Sequence, residues 1–180
     1  MFASKDLFLT RPSGYQISRS VRLRSSASAY FNRTPASAGN RRTFTWSGWV
    51  KRGTLGVQNF LFSAYNGAGD SGTFLMYFAS GDTLVVQGGT TVWRNTTQVF
   101  RDPSAWYHII LTVNTTDAGG SARMVLYVNG QQITAYSGTD PTLNLDTAVN
   151  NNILHTISKH ANAATYFDGY LTEINFIDGQ

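Results

Sequence analysis

Thr43-Phe44-Thr45-Trp46-Ser47-Gly48-Trp49-Val50-Lys51 has a side-chain period of two: Phe44, Trp46, Gly48 and Val50 fall on one face, Thr45, Ser47 and Trp49 on the other. That period belongs to a strand with one face on a core, and Gly53 closes it. Upstream, Ile17, Val21 and Leu23 alternate with polar residues, so a strand is expected over Gln16–Arg24, with a short one near Ala29–Asn32. Downstream, the pattern predicts strands at Asn59–Ala64, Thr73–Ala79, Asp82–Gln87, Thr96–Phe100, Trp106–Asn114 and Arg123–Val128. Asn129-Gly130 carries the signal of a type I′ hairpin, with Gln131–Thr134 returning. Ala135–Asn152 has no period, and Ile153–Lys159 and Tyr166–Ile177 close the series. No window longer than about ten residues favours a helical period.

Composition agrees. The 180 residues include nine Asp but one Glu, three Lys, eleven Phe, nine Tyr and four Trp, which leaves little for exposed helix surfaces. Charged residues are 13%, below the usual figure of roughly 25%. Cysteine is absent, which excludes disulfides, thiolate metal sites and a thiol nucleophile. The length suits one domain: residues 1–15 are expected to form an irregular N-terminal arm and 16–180 the domain. The start carries no apolar leader run of the kind that directs secretion, and no stretch approaches the roughly 20 apolar residues of a membrane span. No membrane insertion is therefore expected.

Charge divides unevenly. Residues 1–60 hold ten Lys/Arg and one acid, a net +9; residues 61–180 hold four and nine, a net −5. The basic residues are spaced singly or in pairs rather than as a polybasic tract, so they read as an attachment surface for protein and not as a nucleic-acid footprint. The arm adds apolar Phe2, Leu7, Phe8 and Leu9 beside Arg11, a segment expected to be ordered by a partner or by a second copy of the chain.

Four segments, in order, resemble laminin-G-like and pentraxin-like domains: Thr43–Lys51; Trp106-Tyr107-His108-Ile109-Ile110-Leu111-Thr112-Val113; Leu126-Tyr127-Val128-Asn129-Gly130; and Tyr166-Phe167-Asp168-Gly169-Tyr170-Leu171-Thr172-Glu173-Ile174. The resemblance implies the concanavalin A-like lectin/glucanase fold: all-β, a two-sheet antiparallel jelly-roll sandwich. Arg33-Thr34-Pro35, Ala38-Gly39-Asn40-Arg41-Arg42, Val99–His108 and Phe176-Ile177-Asp178-Gly179-Gln180 are similar to domains of tailed-bacteriophage virion surface proteins. That similarity implies a fibre, adhesin or capsid-decoration module on the virion. Its expected partners are other virion proteins, further copies of itself and host surface glycan. Related domains continue past Gln180, so a fragment of a longer chain is expected.

Glycan-cutting members of the fold carry paired carboxylates in a pattern like E-x-D-x-E, roughly 5–9 Å apart. Here Glu173 has only Asp168 and Asp178 nearby along the chain, each five residues away and thus on the opposite strand face unless a bulge intervenes. A glycanase is the alternative reading; the expectation is no enzyme. Of the histidines, His108 is expected to pack on its strand, and His155 and His160 have no acid in their segment. There is no G-x-S-x-G elbow and no phosphate-binding loop. Calcium at the rim is a lesser expectation, from Asn66 and Asp70 or from Asp140, Asn144, Asp146, Asn150, Asn151 and Asn152, and neither loop is densely acidic. The glycan-binding candidates are Tyr65, Asn66 and Asp70 in one loop and Trp93, Arg94 and Asn95 after Gly88-Gly89. Trp46, Trp49 and Trp106 are expected in the core. The sequons at Asn32, Asn95 and Asn114 are read as incidental.

Overall fold

The computed structural model describes residues 17–120 and 123–180. The candidate arm, with Phe2, Leu7, Phe8, Leu9 and Arg11, lies outside the described residues. In chain order the strands are β1 Val21–Leu23, β2 Phe31–Arg33, β3 Thr43–Arg52, β4 Asn59–Tyr65, β5 Thr73–Phe78, β6 Thr83–Gly88 and β7 Thr91–Val99. They continue with β8 Tyr107–Asn114, β9 Met124–Val128, β10 Gln131–Gln132, β11 Tyr136–Ser137, β12 Leu154–Ile157 and β13 Gly169–Asp178. One sheet runs β1-β13-β3-β8-β9-β10, the other β11-β7-β6-β5-β4-β12-β2, and every pairing is antiparallel. The result is a two-layer sandwich whose core lies between the inner faces.

β3 forms as its alternation predicts. Phe44, Trp46 and Val50 are almost fully buried, while Thr45, Ser47 and Trp49 face outward. Phe44 meets Phe74 of the facing sheet edge-on at 6.0 Å, and Phe74 in turn meets Trp93 at 5.9 Å. Each such side chain contributes about 1.5–3 kcal/mol by leaving water. The Asn129-Gly130 hairpin has positive φ at both residues, 51° and 78°, the type I′ geometry.

Four expectations are corrected. β7 starts at Thr91 rather than Thr96, which puts Trp93-Arg94-Asn95 mid-strand instead of in a loop. Trp49 and Trp106 are half-buried on the outer face of the six-stranded sheet; Trp46 alone of that trio is core. The first strand is reduced to Val21–Leu23, and just before it the chain is held by the Thr172 hydroxyl, which donates to the Arg19 carbonyl (2.7 Å). Within 135–152, Tyr136–Ser137 extends the sheet edge beside β7.

A β-bulge interrupts β13 between Thr172 and Asn175, with Glu173 at φ 49°. Ile174 turns inward there, into the space that Gly48 leaves by having no Cβ. Two buried arginines tie the layers together. Arg52, at the end of β3, donates to Asp82 Oδ1 (2.9 Å) and to the Phe100 carbonyl (2.6 Å), and its guanidinium lies 4.4 Å from the Phe78 ring centre. Arg94 donates to the carbonyls of Trp93 and Met124 and to Asp140.

Removing one partner of a buried pair leaves an uncompensated charge. Asp82→Ala is therefore expected to cost about 3–5 kcal/mol in urea unfolding. Asp146→Ala, which breaks the exposed pair with Arg42, is expected to leave the midpoint almost unchanged. Equal effects from the two variants would refute the role given to Asp82.

Candidate functional site

A cleft opens between the sheets where edge strand β2 faces the end of β13. It is a cavity of about 500 Å³. Phe62 and Phe176 form its floor and Phe31, Ile157, Arg33 and Asp178 its sides. Phe176 stacks on Phe44 at 5.6 Å and 28°, which fixes the floor to the core. Phe31 is 51% exposed and Val21 47%. A second hollow of about 450 Å³ shares Phe31 and Ile157 and extends along Val21, Leu171 and Ile174. The two make one apolar trough between the sheet edges.

Loops on either side hold the trough open. Gly39 N–H donates to the Asn150 carbonyl (2.8 Å), Asn152 Nδ2 to the Ala36 carbonyl (2.8 Å) and Asn40 N–H to Asp178 Oδ1 (2.9 Å). Asn150, at φ 60°, makes the turn that allows this. Its N–H donates to His155 Nε2 (2.9 Å), so that nitrogen is unprotonated, and Nδ1 donates to the Ile153 carbonyl (2.9 Å). Both ring nitrogens are committed, which removes His155 as a base or ligand. Burial, followed by the Arg33 charge, pushes its pKa down despite the Ile153 bond. His160 is lowered too, by burial and then by Lys159.

Charges of both signs line the trough, Arg33 with Asp178 in the first hollow and Arg19 with Glu173 in the second. Arg19, Arg24 and Arg33 make no ion pair among the described residues. Lys159 sits over Tyr30 at 4.7 Å. Arg22 pairs with Asp168 (3.1 Å), and the Ser25 N–H also donates to that carboxylate. The positive half of the sequence is only partly a surface: Arg41 is spent on the Thr147, Ser71 and Asp146 carbonyls, Arg42 on Asp146 and Arg52 on Asp82.

The glycan candidates do not converge. Tyr65, Asn66 and Asp70 remain at the β4–β5 turn, half-buried or exposed. Trp93 is fully buried; its indole covers Gly88 on the neighbouring strand, where a Cβ would collide with the ring. Arg94 is buried as well, which leaves both unable to meet a sugar from solvent. Asn95 pairs with Val85 and Ser137 within the sheet. In the calcium loop Asp140 is held by Arg94 and Asp146 by Arg42, while Asn144 and Asn150 are left-handed turn residues. No group of three His, Asp or Glu side chains suited to a metal occurs among the described residues. The bulge at Glu173 breaks the simple alternation with Asp168 and Asp178. Asp168 takes Arg22 and Asp178 takes the Asn40 N–H, so both serve as anchors.

A laminin G family model, described as Concanavalin A-like lectin/glucanases superfamily, matches residues 25–179. No curated protein sequence matches the chain. Among solved structures, a Trypanosoma rangeli sialidase mutant displaying trans-sialidase activity aligns with TM-score 0.54 and 18% identity over 76% of this chain and 21% of that one. The mouse laminin alpha1 LG4-5 domains align at 0.56 and 11%, over 82% and 38%. The heptameric SAP-like pentraxin of Limulus polyphemus aligns at 0.51 and 14%, over 82% and 68%. At these identities the likeness concerns the fold, and the chain spans about a fifth of the sialidase's length.

A histidine whose folded pKa is depressed favours the folded state above its ordinary pKa and loses that contribution as pH falls toward the folded value. Stability is expected to drop as pH falls below the ordinary histidine value of about 6.5. His155→Gln combined with His160→Gln should flatten that decline in urea titrations, and an unchanged slope would disprove the assignment.

Proposed function

The chain belongs to the concanavalin A-like lectin/glucanase superfamily, and from that premise we propose that it is a non-catalytic attachment module of a phage virion surface. It docks a partner virion protein, or another copy of itself, through the trough between β1 and β2. The observation that carries this reading is the concentration of unpartnered apolar surface there. Val21, Phe31 and Phe176, which line the trough, are three of the eight exposed large hydrophobics among the described residues. Apolar patches rimmed by polar groups mark interaction sites.

β1 and β2, three residues each, end their sheets with no further strand beside them among the described residues, so an extended partner segment could add to the ladder while its side chains enter the trough. Arg33, on the wall of the trough and without an ion pair among the described residues, is placed to take an acidic group of such a segment. The virion setting rests on the sequence similarity of segments such as Arg33-Thr34-Pro35 and Val99–His108.

Three of the carboxylates are displaced away from acid catalysis, which supports the non-catalytic reading at those positions. Asp82 is held below the usual range by the Gly56 N–H and then by Arg101 and Arg52, Asp102 by Ser104 and Asp146 by Arg42. A general acid needs the opposite displacement.

Phe31→Ser with Arg33→Glu alters two exposed side chains and should leave the melting temperature within about 2 °C. Incorporation into assembled particles is expected to fall about tenfold or more. Normal incorporation of this variant would refute the docking surface.

A further inference from the structure

The outer face of the six-stranded sheet carries an aromatic group away from the trough's floor. Trp49 sits between its cross-strand partners Thr172 and His108, and its indole stacks on the His108 ring at 4.7 Å and 24°. Trp106 lies 6.4 Å from Tyr170, whose ring also bears the Arg22 guanidinium at 4.8 Å. Residues 17–20 pass along this face, pinned by the Thr172 hydroxyl donating to the Arg19 carbonyl (2.7 Å). Between that segment and the sheet is a slot of about 340 Å³, walled by Trp49 and Trp106 with Ser18, Arg19 and Ser20 along one side.

We infer that this slot is a saccharide site and that it takes an acidic sugar residue. Two half-exposed indoles present flat apolar faces of the kind that pack against the C–H side of a pyranose ring. Neither indole N–H is bonded to a described residue, so both can donate to hydroxyls. Ser18 and Ser20 add further hydroxyl partners. Arg19 has no ion pair among the described residues, and its guanidinium matches a carboxylate in charge and in fork geometry. A few polar groups in an otherwise aromatic slot are the make-up of small-ligand sites, and the volume lies at their lower end. The site differs from the rim loops that the sequence suggests for the glycan residues; it shares Arg19, Ser20 and Thr172 with the second hollow of the trough, while both indoles lie outside the trough.

The protein supplies its own reporter. Trp46 and Trp93 are buried at 1% and 0% exposure, so acrylamide quenching of the full chain reads Trp49 and Trp106. Oligogalacturonate is expected to shift the emission and reduce the quenching slope, while neutral cello-oligosaccharides do so only at higher concentration. Trp106→Ala should weaken oligogalacturonate binding about tenfold or more. Arg19→Gln, at an exposed position, should erase the preference for the acidic sugar and leave the melting curve unchanged. Phe31→Ser with Arg33→Glu should bind oligogalacturonate as the wild type does, which separates this site from the trough. No response to either sugar at millimolar concentration would overturn the inference. So would binding unaffected by both Trp106→Ala and Arg19→Gln, or two outer tryptophans already shielded in the free protein by the chain's own first residues or a second copy.

Discussion

A fully buried guanidinium between two sheets is expensive to hold, and the placement of Arg52 shows how this fold meets that cost. Its charge faces the Asp82 carboxylate, its N–H groups reach backbone carbonyls, and its plane lies on Phe78. Asp82 also binds the Gly56 N–H and Arg101. The end of β3, the β5–β6 turn and the chain after Phe100 are thereby fixed to one another. The aromatic layer of Phe44, Trp46, Phe74, Phe78 and Trp93 can then pack in one arrangement, because the sheets cannot slide past each other at that end. Arg94, with Asp140 and Met124, links the layers again elsewhere.

This explains which parts of the molecule could be seen in the chain alone. Phe44, Trp46 and Val50 announce a one-sided strand because alternation is local, and Asn129-Gly130 announces its turn for the same reason. Trp93 reads as a loop residue in the chain alone because the cause of its burial is remote: pairing of β6 with β7 brings the bare backbone of Gly88 under the indole. The trough was invisible for a like reason. Its walls come from residues 31–39, 150–157 and 176–178, and no spacing along the chain hints that they meet. The positive first third was legible as a count, yet the count does not tell a surface arginine from one holding loops or layers together.

The two candidate surfaces share a physical origin. A sandwich buries two of its four sheet faces and leaves its lateral edges unclosed. Here the edges at β1 and β2 are left short and apolar, and the outer face beside them carries indoles instead of the usual small polar side chains. Both departures lie on the side where the described chain begins, around residues 17–33.

The bulge at Glu173 has a consequence for how this protein can change over time. Side chains beyond it face as they do because one extra residue resets the alternation of β13, sending Phe176 to the floor of the trough and Ile177 outward. The trough floor is thus specified by a residue count as well as by residue identity. Loss or gain of a single residue between Thr172 and Asn175 would exchange Phe176 for Ile177 and turn Asp178 away from Asn40. Divergence in this last strand should therefore proceed by substitution, while changes of length are confined to the loops.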